Sequence, residues 1–386
     1  MKYLYTLILI LITTLSCSPK ISDLEGIIKQ VRLKYVPDRR ENVFDIRAIE
    51  SNGRLVLKGF TSVVEAKNEL LQLLPQAMDS VIVLPDSALE EEIYGVVNVS
   101  VADVRTDNDY SAEMATQVLL GMPIRLLQRN NWWRIKTPEG YLGWTTGSSF
   151  TRMNKTAFDE WLSSEKVIFT GIYGFSYEHP DIKSQTVSDL VFGNFLKFLG
   201  EQGDFYQVAY PVGDTAYIRK SEAKLFHQWL SEINPTEESI VEKALLLKGI
   251  PYTWGGTSTK MMDCSGFTKT VFLMNGIVLL RDASQQVTTG APVDITTGYE
   301  NLQKGDLLFF GKKGENGKKD RIRHVGIYLG NNEFIHEAGF VRVASLDPAK
   351  PNYDELNTRE FVQARRIIGA VGINGVIELG KVMTNK

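Results

Sequence analysis

Cysteine is nearly absent from this chain, with two in 386 residues, Cys17 and Cys264. That excludes a disulfide scaffold, which needs a larger, even set. Histidine is almost as scarce, with 4 in all, at 179, 227, 324 and 336. Long basic runs are missing and the formal net charge is −3, so nucleic acid is a poor candidate partner. No apolar run reaches the ~20 residues of a spanning helix; the N-terminal one stops at Leu4 to Leu15. What is present is ordinary for folded protein, 43% hydrophobic and 23% charged residues. The length predicts more than one domain.

Lys2, the apolar stretch Leu4 to Leu15 and the small Ser16 read as an export leader rather than part of the fold. Ser16-Cys17 resembles a bacterial lipoprotein cleavage site, with Thr14 where a Leu is usual. Lipidation of Cys17 would anchor the mature protein to a membrane in the cell envelope. It would also leave Cys264 as a lone thiol in an exported protein, which raises the question of why it is kept.

Residues 18–92 read as a small α/β module. Leu24, Ile27, Ile28 and Val31 recur at helical spacing, and strands over 42–49 and 54–59 flank a Ser51-Asn52-Gly53 turn. A helix over 64–74 and a strand over 80–84 follow. Residues 93–150 carry short strands at close spacing, over 97–101, 123–128, 133–137 and 142–146, which predicts a small barrel. Residues 151–232 hold a linker and a second copy of that plan. Gly121 aligns with Gly193, Leu126-Leu127 with Phe198-Leu199, and Trp132-Trp133 with Phe205-Tyr206. Thr236 caps a helix with Ile240, Val241, Ala244, Leu245 and Leu247 as its apolar stripe, opening a last domain over 233–386.

Chemistry concentrates in that domain. Asp263-Cys264-Ser265-Gly266 precedes an apolar helical pattern, which places Cys264 in the first turn of a helix capped by Asp263. The dipole and open N–H groups there favour a thiolate and can hold an oxyanion. Gly255-Gly256 upstream fits a loop approached by substrate backbone. The base should come from His324 or His336, on two strands joined at Gly330-Asn331-Asn332. A two-residue loop would turn the histidines to opposite faces, whereas a three-residue loop pairing Leu329 with Glu333 would put them on one face. If His336 orients His324, the longer loop is required. Zinc is disfavoured because CxxC and HxxxH spacings are missing.

The motifs "YTWGG", "DCSGF", "RDASQQ", "GDLLFF" and "HVGIYLG…FIHE" occur in the order found in the NlpC-type cell-wall cysteine peptidases, and the last third of the chain resembles that family. The resemblance implies a papain-like α+β fold and no cofactor. It implies Cys264 as nucleophile, His324 as base and His336 as the polar third member. Tyr252 would lie near the oxyanion, Asp263 and Ser265 would bind the substrate's free amine, and Ser284 would line its pocket. The stretch "NNWWRIKTPEGYLGW" resembles bacterial SH3-like domains. The expected architecture is therefore α+β multidomain: a small N-terminal α/β module, two SH3-like β-barrels and the peptidase domain. That order resembles the γ-D-glutamyl-L-diamino acid endopeptidases of the dipeptidyl-peptidase VI group, which implies peptidoglycan peptides with a free N-terminal L-Ala as substrates. By motif position, Glu113 and Tyr141 of the first barrel would hold the L-Ala end. Two alternatives stay open: a non-catalytic peptidoglycan-binding module, and an endopeptidase acting on intact wall.

Overall fold

The computed structural model describes residues 21–315, 317–373 and 375–384. Cys17 and the leader expected before it lie outside them. The chain divides after Leu84 into two compact units.

In the first unit, α1 (Ile21–Tyr35) and α2 (Val64–Leu73) pack on a sheet of β1 (Phe44–Ser51), β2 (Arg54–Thr61) and β3 (Met78–Val83). β1 and β2 form an antiparallel hairpin. Its turn residues Asn52 and Gly53 both sit at positive φ, 51° and 70°, the geometry that matches strand twist. β3 pairs parallel to β2, as a helical crossover requires. Leu24, Val31, Phe44, Leu57, Leu70 and Val81 form the core.

The second unit opens with a seven-stranded sheet: β4 (Tyr94–Val97), β5 (Val101–Arg105), β6 (Met114–Leu119), β7 (Pro123–Arg129), β8 (Trp133–Lys136), β9 (Leu142–Thr145) and β10 (Phe150–Met153). Their order is β10-β4-β7-β8-β9-β5-β6. After α3 (Lys155–Ser163) comes a second sheet: β11 (Lys166–Phe169), β12 (Tyr173–Tyr177), β13 (Thr186–Val191), β14 (Phe195–Gln202), β15 (Phe205–Ala209), β16 (Thr215–Arg219) and β17 (Ala223–Leu225). Read from its far edge, the order β17-β11-β14-β15-β16-β12-β13 reproduces the first sheet strand for strand. The internal repeat is thus a repeat of topology. Gly121 and Gly193 occupy equivalent turns at φ 79° and 82°. Among the described residues neither sheet closes on itself by a strand pair, in contrast to the closed barrels expected. The strand expected over 97–101 is two strands, because the chain turns at 98–100. Neither β6 nor α3 was foreseen.

The C-terminal region packs helices on an antiparallel sheet. Its elements are α4 (Phe226–Glu232), α5 (Glu237–Leu246), the short pair β18 (Thr257–Ser258) and β19 (Met261–Met262), α6 (Cys264–Leu273), β20 (Ile277–Val278), α7 (Ala283–Gln286), β21 (Ala291–Val293), β22 (Leu307–Lys312), β23 (Arg321–Gly330), β24 (Glu333–Glu337), β25 (Val341–Ser345), α8 (Glu355–Arg359), β26 (Phe361–Arg366), β27 (Ile377–Glu378) and α9 (Leu379–Thr384). The main sheet runs β21-β26-β22-β23-β24-β25. α6 is buried along nearly its whole length and lies against β23 and β24. One hydrophobic cluster joins Val118 and Leu126 of the first sheet, Phe195 of the second, and Phe267, Val271, Ile327 and Ile335 of the C-terminal region. The two sheets and the C-terminal region therefore share a core.

Candidate active site

Asp263 is the N-cap of α6, and its carboxylate accepts the Gly266 N–H at 2.7 Å. Cys264 is the first helical residue. The glycines around it are there for close backbone packing. A Cβ on Gly266 would lie 1.9 Å from the Gly256 carbonyl oxygen, and one on Gly255 would lie 2.3 Å from that of Met114 at the start of β6. The tight approach at Gly255 and Gly256 is thus to the protein's own backbone, in place of the substrate backbone expected there.

The residues expected as base and partner come from β23 and β24. His324 and His336 are buried, and His324 Nε2 lies 2.9 Å from His336 Nδ1. They share a face by a different route from the one expected. The turn is two residues, Asn331 and Asn332, both at positive φ, and Gly330 pairs with Glu333. A bulge between Tyr328 and Gly330 then shifts the register by one, so Tyr328 pairs with Phe334 and Gly326 with His336. The extra residue, Leu329, does what a longer loop would have done. Beyond His336, Asp354 Oδ2 lies 3.9 Å from its Nε2. With Nε2 of His324 spent on His336, Nδ1 is the nitrogen left for Cys264.

Electrostatics run against the thiolate expected at the helix start. Burial first, and the Asp263 carboxylate second, push the Cys264 thiol up to about 12, with only partial relief from the Val325 and Ser265 N–H groups. The dipole of one helix end is worth about 0.3–1 kcal/mol, less than this desolvation. Burial, then the His336 ring and the Arg323 and Arg342 charges, hold His324 well below its ordinary value. Burial lowers His336 to about 4 against the pull of Asp354. Both shifts favour a neutral thiol and a neutral imidazole over the ion pair. Tyr252 is raised by burial and then by the neighbouring Cys264, so its hydroxyl stays protonated and able to donate.

A cleft of about 560 Å³ opens over Cys264. Tyr252, Asp263, Ser265, Ser284 and His324 line it, and so do Glu113 and Tyr141 from the first sheet region. His336 lies behind this wall. Every described residue singled out from the sequence thus lines the cleft or backs it. Asp263, however, is heavily engaged. Its Oδ1 accepts from Gly266 N, Ser265 Oγ and Arg281 Nη1, and its Oδ2 accepts from Gly255 N and Arg281 Nη2, the last at 2.6 Å. A substrate ammonium would have to compete with Arg281 there. Ser265 Oγ also accepts from Arg281 Nη1 at 2.9 Å. Arg281, 1% exposed, went unnoticed in the sequence although it opens the "RDASQQ" motif. Asp282, likewise missed, lines the cleft and accepts a hydrogen bond from the Tyr141 hydroxyl at 3.1 Å.

Residues 249–363 match the model of the NlpC/P60 family. This chain carries an NlpC/P60 domain. Similarity extends well beyond the domain. A gamma-D-glutamyl-L-lysine dipeptidyl-peptidase of Bacillus cereus is 29% identical over 266 residues, 66% of this chain and 76% of that protein. Dipeptidyl-peptidase 6 of Lysinibacillus sphaericus is 28% identical over 67% of this chain and 93% of its own. The crystal structure of an NlpC/P60 family protein from Bacillus cereus superposes with a TM-score of 0.60 at 26% identity, covering 71% of this chain and 99% of that one.

Proposed function

We propose that the protein is a cysteine peptidase that hydrolyses the γ-D-glutamyl–diamino acid bond of peptidoglycan peptides with a free N-terminal L-Ala. The observation that carries this reading is the Cys264–His324–His336 set in a cleft bordered by residues of the first seven-stranded sheet region. The names and extents of the two dipeptidyl-peptidase relatives support the choice of bond. We read the two seven-stranded sheets as SH3-like domains, the first of which supplies one side of the cleft.

The chemistry follows from the resting protonation. As the Cys264 sulfur attacks the γ-carbonyl carbon, its proton passes to His324 Nδ1. His324 Nε2–H donates to His336 Nδ1, which fixes the tautomer, and Asp354 steadies the charge that forms. N–H groups of the first turn of α6 and the Tyr252 hydroxyl stabilise the oxyanion. The C–N bond then breaks, His324 returns the proton to the leaving amine, and an acyl thioester remains on Cys264. Water activated by His324 hydrolyses it, releasing L-Ala-γ-D-Glu and restoring the thiol. Glu113 is the carboxylate we assign to the substrate ammonium, because Asp263 is matched by Arg281 and Asp282 is engaged by Tyr141. Ser284 lines the same pocket.

Incubation with L-Ala-γ-D-Glu-meso-diaminopimelate and its N-acetylated form, followed by mass spectrometry, tests the reading. Wild type should cleave the first and spare the second, and Cys264→Ala should lose at least ~10³-fold in rate with unchanged folding. Equal cleavage of both peptides would refute the free-amine requirement. We further propose that the chain is exported and anchored through lipid on Cys17. Cys17→Ala should move it from the membrane fraction to the soluble fraction, and retention in the membrane would refute the anchor.

A further inference from the structure

The site leaves one cation over. Arg321 opens β23, three residues before His324, and lines the catalytic cleft. Other arginines of the site are already matched. Arg281 is held by Asp263, and Arg323 by Glu360 and by Asn357 Oδ1, the latter at 2.8 Å. Among the described residues, the Arg321 guanidinium has neither an ion-pair nor a hydrogen-bond partner.

The backbone carrying Arg321 is fixed in place. It pairs with Lys312 of β22, and its carbonyl oxygen packs so close to Gly311 that a Cβ there would lie 2.0 Å away. The acid next to it in sequence is turned to other work. Asp320 accepts the Gly314 N–H at 2.8 Å and the Gln363 side-chain amide at 2.6 Å. The cleft thus presents carboxylates from Glu113 and Asp282, and an unmatched guanidinium from β23.

We propose that Arg321 binds a carboxylate of the substrate close to the scissile bond. This inference rests on the γ-glutamyl reading above. In a γ-linked glutamyl peptide the α-carboxylate is free and lies a few bonds from the reacting carbonyl, and the diamino acid brings a second carboxylate. An ordinary α-linked peptide of neutral residues carries no free carboxylate on the residue before the scissile bond. A guanidinium fork suits a carboxylate better than a point charge does, so Arg321 makes the cleft selective for the acidic peptide over its amidated form.

The test uses the full chain and three peptides: L-Ala-γ-D-Glu-meso-diaminopimelate, the same with the glutamyl α-carboxylate amidated, and the same with the diamino acid α-carboxylate amidated. Wild type should lose ~10–100-fold in kcat/KM on one of the amidated peptides, and which one identifies the carboxylate. Arg321→Gln should lose a similar factor on the acidic peptide and treat acid and amide alike, with Arg321→Lys recovering part of the discrimination. Arg321 is exposed, and an unchanged melting curve separates this effect from misfolding. Cleavage of all three peptides at similar rates by wild type, or discrimination that survives in Arg321→Gln, overturns the inference alone. Cleavage of none by wild type overturns the γ-glutamyl reading and takes the inference with it.

Discussion

Replacing Glu337 by glutamine removes a buried proton site near Asp263 without changing its shape. Glu337 ends β24, next to His336, and is fully buried. Burial, and then the negative charge of Asp263, raise its carboxyl to about 7, against smaller pulls from the Gly339 N–H and Arg342. Unfolded, it titrates near the ordinary 4.5. Between these values the folded chain holds a proton that the unfolded chain has released. Stability must therefore fall as pH rises through that window, and level off above it. The full difference corresponds to roughly 3 kcal/mol, and partial relaxation toward water or Arg342 lowers it to about 2 kcal/mol.

Glutamine cannot ionise, so Glu337→Gln should lack this fall. Guanidinium unfolding followed by tryptophan fluorescence should give similar stabilities for the two proteins at pH 5. At pH 8.5 the variant should be the more stable by roughly 2–3 kcal/mol. The same ionisation places a negative charge near Asp263 and Tyr252. Parallel stability curves for the two proteins, or a variant weakened equally at both pH values, would refute the assignment of a neutral buried acid.

Two further outcomes follow from the same electrostatics. Iodoacetamide should label Cys264 at a rate that keeps climbing through pH 8–9, because burial keeps the thiol neutral; a plateau already reached at pH 5–6 would mean a thiolate–imidazolium pair in the free protein. Arg281→Met should cost about 3–5 kcal/mol, since it strands the buried Asp263 charge, and adding Asp263→Asn should recover much of it; an unshifted melting curve for Arg281→Met would show that Asp263 carries no buried charge.

The sequence exposed what is local. Asp263 capping α6, the Asn52-Gly53 turn and the glycines at 121 and 193 all follow from backbone rules acting over a few residues. It hid what is distant or compensating. Arg281 and Thr116 are hydrogen-bonded at 3.0 Å across 165 positions, and no periodicity reports that. The bulge at Leu329 was invisible because an extra residue within a strand and one within the turn give the same alternation of Val325, Ile327 and the histidines. The strand assumed over 97–101 failed for the opposite reason. Its β-branched residues fit a strand, but Asn98 and Ser100 supply the polar groups of a turn, as in other turns rich in such residues.

The engaged Asp263 explains why the wall of the cleft belongs to the catalytic unit. Arg281 reaches three groups at once: Asp263 and Ser265 at the head of α6, and Thr116 on β6. Gln117 of the same strand holds Thr257 by both its side-chain and its backbone carbonyl. Gly255 sits against the Met114 carbonyl, and Lys269 of α6 pairs with the buried Glu139 at 3.3 Å. Glu113, immediately before β6, is therefore set in place by the contacts that also set Cys264. A separately hinged wall would have to be ordered by each arriving peptide, at the expense of binding energy. Here that ordering is done once, during folding, and the cleft meets its substrate with its carboxylates and its nucleophile already in register.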